Sequence, residues 1–361
     1  MKTFSILMEP ASYTIDRNKA VYDKLGIEYC YMRGLSEASN NDADAICIEK
    51  YNIFKKISFL KQILSKYDCI IMNGYVSIEF YILFILNFFY RKPIGIDSDT
   101  QYTRPISNIK YQIKKCILRI IFSNKYIYGL AGGTKTHFDL FTKYGMSKDR
   151  VMLMPMMIDN NKFKDKGYLN KTITPFVFLY VGRLVECKNL DILLQAFTKL
   201  QNTNDNIQLH IVGGGILEEY YRDKYKNSSI IFKGKKFGNE LYNEYKEANV
   251  FILPSSYEPW GLVVNEAMSA GLPVIVSNEV GARYDLVDNQ NTGYVFNYKS
   301  VDELYNCMIK IISDKANYKT MSSNAYNIMH NYWNYNLYEK CLIHFINTAT
   351  NKKIRQINET D

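Results

Sequence analysis

The 361-residue sequence is poor in the side chains that build covalent or metal-bound frameworks. It has four histidines, none close to another, and seven cysteines (30, 47, 69, 116, 187, 307 and 341) with no Cys-x-x-Cys pair. An odd, scattered set of thiols excludes a disulfide scaffold and a cysteine-ligated zinc site, and reads as reduced cytosolic cysteine. The isolated histidines argue against a metal cluster, so no metal is expected. The most apolar run, YILFILNFFY at 81–90, has ten residues, against the ~20 needed to span a bilayer. It reads as a buried helix of an α/β domain, with a membrane-dipping helix face as the alternative. The start, MKTFSILMEPASYTIDRN, has one lysine and an apolar run too short for a signal peptide. No Gly-x-Gly-x-x-Gly joins a strand to a helix, which removes a Rossmann dehydrogenase. No recognition motif accompanies the positive charge, so nucleic acid is not an expected partner.

What is present is an ordinary globular balance, 47% hydrophobic and 22% charged, in a chain long enough for two domains. The net charge of +9 is uneven: residues 1–150 hold 22 Lys/Arg against 14 Asp/Glu, and the remainder is nearly neutral. An anionic membrane surface or a phosphate-bearing acceptor suits the basic half. Solvated lysines on helix faces are the competing explanation.

Short β-branched apolar runs alternate with helix-period runs along the chain. Strands are expected at 3–8, 27–32, 69–73, 93–97, 126–131 and 151–155, then at 176–182, 207–213, 230–234, 250–255, 273–277 and 293–296. Helices fit near 16–25, 54–66, 77–90, 105–122 and 134–144, then near 189–200, 215–226, 239–248, 262–270 and 301–313, with one more run over 317–350. This alternation means parallel sheets covered by helices, and it occurs twice. The polar stretch 159–174 reads as an interdomain linker and 351–361 as a frayed tail. The expected architecture is two Rossmann-like, doubly wound α/β domains facing across a cleft, over 1–168 and 172–330. Ligands of such sheets bind beyond the carboxyl ends of the strands.

Several segments at those ends carry chemistry. In FLYVGRLVECKNL a strand ends at Gly182, and Arg183 and Lys188 follow just before a helix. A guanidinium with an ammonium suits a diphosphate. The glycines from Gly213 form either a tight turn beside a nucleotide or a plain structural turn. Gly234 and Lys235, amid Lys233 and Lys236, form either a solvated basic loop or a contact to a nucleotide base. In SSYEPWGLVVNEAMSAG (255–271), Glu258, Pro259, Trp260 and Gly261 make a corner that opens a helix. The N–H groups of Gly261, Leu262 and Val263 are placed to bind phosphate. Glu266, about one turn inside, suits ribose hydroxyls; Glu258, before the corner, suits the reacting sugar.

These residues resemble the retaining glycosyltransferases of family four, which have the GT-B fold. Gly182-Arg183 with Lys188 five residues on, and Glu258 spaced as Glu-x7-Glu from Glu266, match that family's motifs over 175–300. YGMSKDRVMLMPMMIDNNKF (144–163) matches its approach to the linker more loosely. The resemblance implies an N-terminal acceptor domain, completed by the helix near 333–350, and a C-terminal donor domain. It implies that Arg183 and Lys188 bind the donor diphosphate, Glu266 the ribose and Glu258 the transferred hexose. The expected reaction moves a hexose from a UDP- or GDP-linked donor to a glycan or lipid-linked acceptor in surface polysaccharide synthesis, with retention and without a metal. The expected location is cytoplasmic, peripheral at the inner face of the membrane. The sequence departs from the family where a histidine is common after the fourth strand: there it has Asp97 and Asp99, taken as catalytic candidates with Glu258. His137 is the other candidate for that role.

Asp97-Ser98-Asp99 is also an Asp-x-Asp triplet of the manganese-binding kind, although the second half does not suit the fold that uses it. A GT-B nucleotide-sugar epimerase is the alternative enzyme, and a non-catalytic nucleotide-sugar module the alternative outside catalysis.

Overall fold

The computed structural model describes residues 1–34, 45–103, 108–164 and 174–351. Residues 165–173 of the expected linker and the tail from 352 lie outside the described residues. The chain divides into two compact units: Met1–Met157 together with the terminal helix Tyr335–Thr350, and Ile158–Asn334. The first crossing thus falls just before the polar stretch, and Asn160–Phe163 is a 3₁₀ turn of the second unit.

The first unit holds a seven-stranded sheet: β1 (Thr3–Leu7), β2 (Glu28–Tyr31), β3 (Ile46–Cys47), β4 (Cys69–Asn73), β5 (Ile94–Ser98), β6 (Ile127–Ala131) and β7 (Val151–Leu153). Their order is β3-β2-β1-β4-β5-β6-β7. Every pairing is parallel. β1 is buried along its whole length, even at Ser5, as a strand covered on both faces must be. The helix Ile78–Tyr90 contains the apolar run. Ser77 caps it, and Phe80, Leu83 and Phe84 enter the core. Its other face leaves Ile85, Phe88 and Phe89 exposed. No helix among the described residues is long and apolar enough to cross a membrane.

The terminal helix belongs to this first core. Tyr338 meets Tyr22 hydroxyl to hydroxyl at 3.3 Å, and Lys24 pairs with Glu339 at 3.1 Å. Phe345 occupies the space over Gly95, where a Cβ would come within 2.6 Å of its ring. The expected single run over 317–350 is two helices, Lys315–Asn331 and Tyr335–Thr350, so the break at 332–334 is also where the chain changes units.

The second unit holds β8 (Phe176–Val181), β9 (Ile207–Val212), β10 (Ile230–Gly234), β11 (Val250–Leu253), β12 (Val274–Ser277) and β13 (Gly293–Phe296). The order is β10-β9-β8-β11-β12-β13, again parallel. β8, the run FVFLYV, is buried throughout. In both sheets the strand order reverses direction once, between β1 and β4 and between β8 and β11. That switch point is where the loops at the carboxyl ends part and leave a crevice. The helix expected over 215–226 forms only at Glu218–Lys224, because the glycines before it are occupied by a loop contact described below.

Candidate active site

The chemistry-bearing segments of the second unit converge at its switch point. After β8 the chain passes Gly182 and Arg183, makes a 3₁₀ turn over Glu186–Lys188, and reaches Asn189 in the left-handed region (φ 53°). Asparagine tolerates that conformation, and here its side chain has a second task. Its amide donates to the carbonyls of Pro254 (3.1 Å) and Tyr298 (2.8 Å), tying the β8 loop to the loops after β11 and β13. Ser256 N–H donates to the Cys187 carbonyl at 2.9 Å, a second stitch.

These ties bring Lys188 and Glu258 into direct contact. The Lys188 ammonium donates to Glu258 Oε2, with both side chains largely shielded, 14% and 12% exposed. Glu258 is held from behind as well. Its backbone forms a parallel bridge with Val280, and its carbonyl accepts from Gly281 at 3.0 Å. Arg183 is exposed beside this pair in sequence, and its carbonyl accepts from Tyr180 Oη at 2.9 Å.

Gly261 follows at φ 98° and starts the helix Leu262–Ser269. A Cβ there would lie 3.1 Å from Leu253 and 3.2 Å from the Glu258 side chain, in a conformation L-residues avoid. No side chain caps this helix start, and Leu262 and Val263 are partly exposed on it. Glu266, one turn on, accepts from Tyr245 Oη at 2.6 Å. Burial pushes the Glu266 carboxyl up to about 7, against the lowering effects of Tyr245 and Lys162. Pro259 is partly exposed.

Trp260 requires a correction. Its indole is a core group, stacked on Trp333 at 5.5 Å and 11°, with Nε1 donating to Asn265 at 2.8 Å. It anchors the corner and does not face solvent, so the indole is not open to a ligand.

The glycine turn after β9 lies against the β8 loop. Leu184 N–H donates to the Gly214 carbonyl at 3.0 Å, and a Cβ on Gly213 (φ 135°) would lie 1.9 Å from the Gly182 carbonyl oxygen. Gly213 and Gly215 are therefore required by the close approach of the β8 and β9 loops. Gly234 (φ 69°) has open space around its missing Cβ, and the Lys235 stem lies against Gly214. Lys236 pairs with Glu240 at 3.6 Å, and Lys233 approaches Glu244 at 3.8 Å.

Asp97 and Asp99 belong to the first unit. With Glu9, Tyr13, Arg17 and Asn73 they line a pocket of about 260 Å³ at that sheet's own switch point. Burial pushes Asp97 up to about 6 despite Arg17, whose guanidinium lies 3.9 Å away. Arg17 is itself buried, flanked by the Tyr22 and Tyr338 rings. His137 is fully buried on its helix, 3.3 Å from the Thr134 carbonyl, and lines no part of this pocket. The sequence did not point to Asn189, Tyr245 or Arg17; none carries a motif, and each matters through a partner distant in sequence.

Residues 161–328 match the family model described as glycosyl transferases group 1. The chain is 34% identical over 142 residues to an uncharacterized glycosyltransferase of Methanocaldococcus jannaschii, covering 38% of this chain and 36% of that one. It is 29% identical over 200 residues, 51% of each chain, to the UDP-Gal:α-D-GlcNAc-diphosphoundecaprenol α-1,3-galactosyltransferase of Escherichia coli. The chain thus spans between about a third and a half of the length of these curated relatives. A solved structure from Anabaena, HepE in complex with UDP, superposes with a TM-score of 0.73 at 16% identity, over 96% of this chain and all of that one. The fold is therefore GT-B, and the stretch 161–328 matches the group 1 glycosyltransferase model.

Proposed function

We propose that this protein is a retaining hexosyltransferase that uses a nucleotide-diphosphate sugar. The observation that carries the reading is the Lys188–Glu258 pair beside the uncapped, Gly261-led helix start, at the β8/β11 switch point. Arg183 and Lys188 provide two cations for the donor diphosphate, and the Leu262 and Val263 amides add donors aligned with the helix dipole. Glu266 accepts from the ribose hydroxyls. Glu258, released when Lys188 turns to the diphosphate, faces the hexose. The bond between the anomeric carbon and the diphosphate oxygen breaks, and its electron pair leaves with the diphosphate. The cations and helix start stabilise that charge where it develops, so the reading calls for no metal. The acceptor hydroxyl attacks the same face, and its proton passes to the departing diphosphate oxygen.

UDP is favoured over GDP, because the E. coli relative is named for UDP-Gal and HepE was solved with UDP and with UDP-glucose. The acceptor belongs to the first unit, with Asp97 and Asp99 contacting its hydroxyls. A lipid-linked glycan of a surface polysaccharide is the acceptor class. Its support is the lipid-linked acceptor in that relative's name, a capsular polysaccharide glycosyltransferase of Staphylococcus aureus among the relatives, and the surface of the first unit. That surface exposes Phe54, Ile85, Phe88, Phe89, Ile109 and Ile120 amid Lys110, Lys114 and Arg119, a composition suited to an anionic membrane face. The protein works at the cytoplasmic side as a peripheral enzyme.

Calorimetric titration with UDP and with GDP, repeated on Arg183→Ala, tests the donor site. The expected result is UDP binding that weakens at least ~10-fold in the variant, as loss of a charge-assisted contact requires. No binding of either nucleotide, or equal binding by Arg183→Ala, refutes the assignment.

A further inference from the structure

We propose that His210, Glu244 and Glu247 form a site for a divalent transition-metal ion, with zinc the best fit, on the second unit. The site does not depend on the donor assignment. His210 projects from β9, and the two glutamates stand at i and i+3 on the helix Gly238–Glu247, hence on one face. One ligand atom from each lies within 4.8 Å of the others.

His210 and Glu244 are 5% and 7% exposed, yet His210 Nδ1 and Glu244 Oε2 have no hydrogen-bond partner. They face each other at 3.5 Å. The other ring nitrogen, Nε2, lies 3.2 Å from Gln208 Oε1 and donates to it, which leaves Nδ1 as a lone pair. A lone pair and a carboxylate oxygen thus confront each other in a shielded place, offset only by the Lys233 ammonium 3.8 Å from that oxygen, and such an arrangement is costly without a cation between them.

The spacing favours a metal. A separation of 3.5 Å is long for a hydrogen bond. It is close to the edge of a tetrahedron built on metal–ligand bonds of ~2.0–2.1 Å, about 3.3 Å. Glu247 is exposed, so it supplies a third ligand and a route from solvent, and water completes the set. One nitrogen with two carboxylates suits zinc or a neighbouring transition ion; calcium and magnesium prefer more numerous oxygen ligands. Gln208 acts as the outer-shell partner that fixes the tautomer. Lys233, 3.8 Å from Glu244 Oε2 and 26% exposed, is the charge that must swing out when the ion enters. The ion would fasten β9 to the helix that also carries Tyr245, so its effect is on the stability of this unit.

The test uses the full chain, stripped with a chelator and dialysed. Zinc is titrated against a chromophoric zinc indicator, and the thermal midpoint is recorded with zinc and with magnesium. The expected result is one zinc equivalent and a midpoint raised by zinc but not by magnesium, as linkage requires. Glu247→Ala, an exposed change that leaves the core intact, should weaken zinc binding at least ~10-fold, as loss of one ligand does, and remove the rise. Lys233→Met should tighten binding. No zinc-dependent rise in the wild type overturns the proposal. So does a rise that survives both Glu247→Ala and His210→Asn.

Discussion

Replacing Lys188 with alanine should do two separable kinds of damage. The Glu258 carboxylate would keep its position, because the Val280 bridge and the Gly281 contact hold its backbone. It would lose its cation in a place where it is only 12% exposed. Ser255 Oγ lies 3.4 Å from that carboxylate, too far to replace an ammonium. Breaking one side of a buried pair costs ~3–5 kcal/mol; at the mouth of a crevice the lower figure, about 3 kcal/mol, applies. For a unit of this size that is a fall in midpoint of about 6–12 °C. Glu258→Ala should cost about as much, by stranding Lys188. Lys188→Met with Glu258→Met removes both charges and keeps the volume, so the double variant should recover most of the stability. Transfer from the nucleotide sugar should stay lost in all three, since each removes a group assigned to the donor. Differential scanning calorimetry with a transfer assay reads both effects. Single variants that shift the midpoint by less than about 2 °C, or a double variant that loses the sum of the two, would refute the reasoning.

Glu266 predicts a pH dependence. Its carboxyl is raised in the folded protein to about 7 from a reference of 4.5. The folded state therefore keeps a proton that the unfolded state releases between those values, and stability contributed by this group falls as pH rises from about 4.5 to about 7. UDP affinity should move oppositely, strengthening as the carboxylate forms. Tyr245→Phe removes a bond to that carboxylate and should shift the affinity profile to higher pH; comparing variants cancels the titration of UDP itself, and superimposable profiles would contradict the assignment. Two glycine substitutions should differ sharply in urea unfolding. Gly234→Ala costs about 1–2 kcal/mol of left-handed strain, whereas Gly213→Ala, driven against the Gly182 carbonyl, costs about 3 kcal/mol or more; equal costs would remove the close-approach argument. Phe89→Ser with Ile85→Ser should reduce co-sedimentation with anionic vesicles and leave the thermal midpoint unchanged, because both side chains are exposed. Undiminished pelleting would show that this helix face is not the membrane contact.

The strands were legible because a parallel sheet buried on both faces writes itself as short apolar runs: FVFLYV and GYVF stand at or near their expected positions. The two-residue β3 escaped, since Ile46–Cys47 is an exposed sheet edge with no apolar pattern. The ends of strands were legible too, which is why Gly182, Lys188, Glu258 and Gly261 stand out in the sequence. What a linear reading lacks is the strand order. Lys188 follows β8 and Glu258 follows β11; they meet only because β8 and β11 are neighbours in the sheet. The same order decides the glycines. Gly213 follows β9, on the other side of β8, and packs against the β8 loop. Trp260 is likewise placed by a distant partner: its indole stacks on Trp333, 73 positions on in the same unit. His210 is the extreme case. As an isolated histidine it argued against metal binding, and its relation to Glu244 and Glu247 exists only where the helix Gly238–Glu247 lies over β9. Spacing along the chain can place a group at the end of a strand; only the neighbour relations of the sheet determine which groups then share a charge.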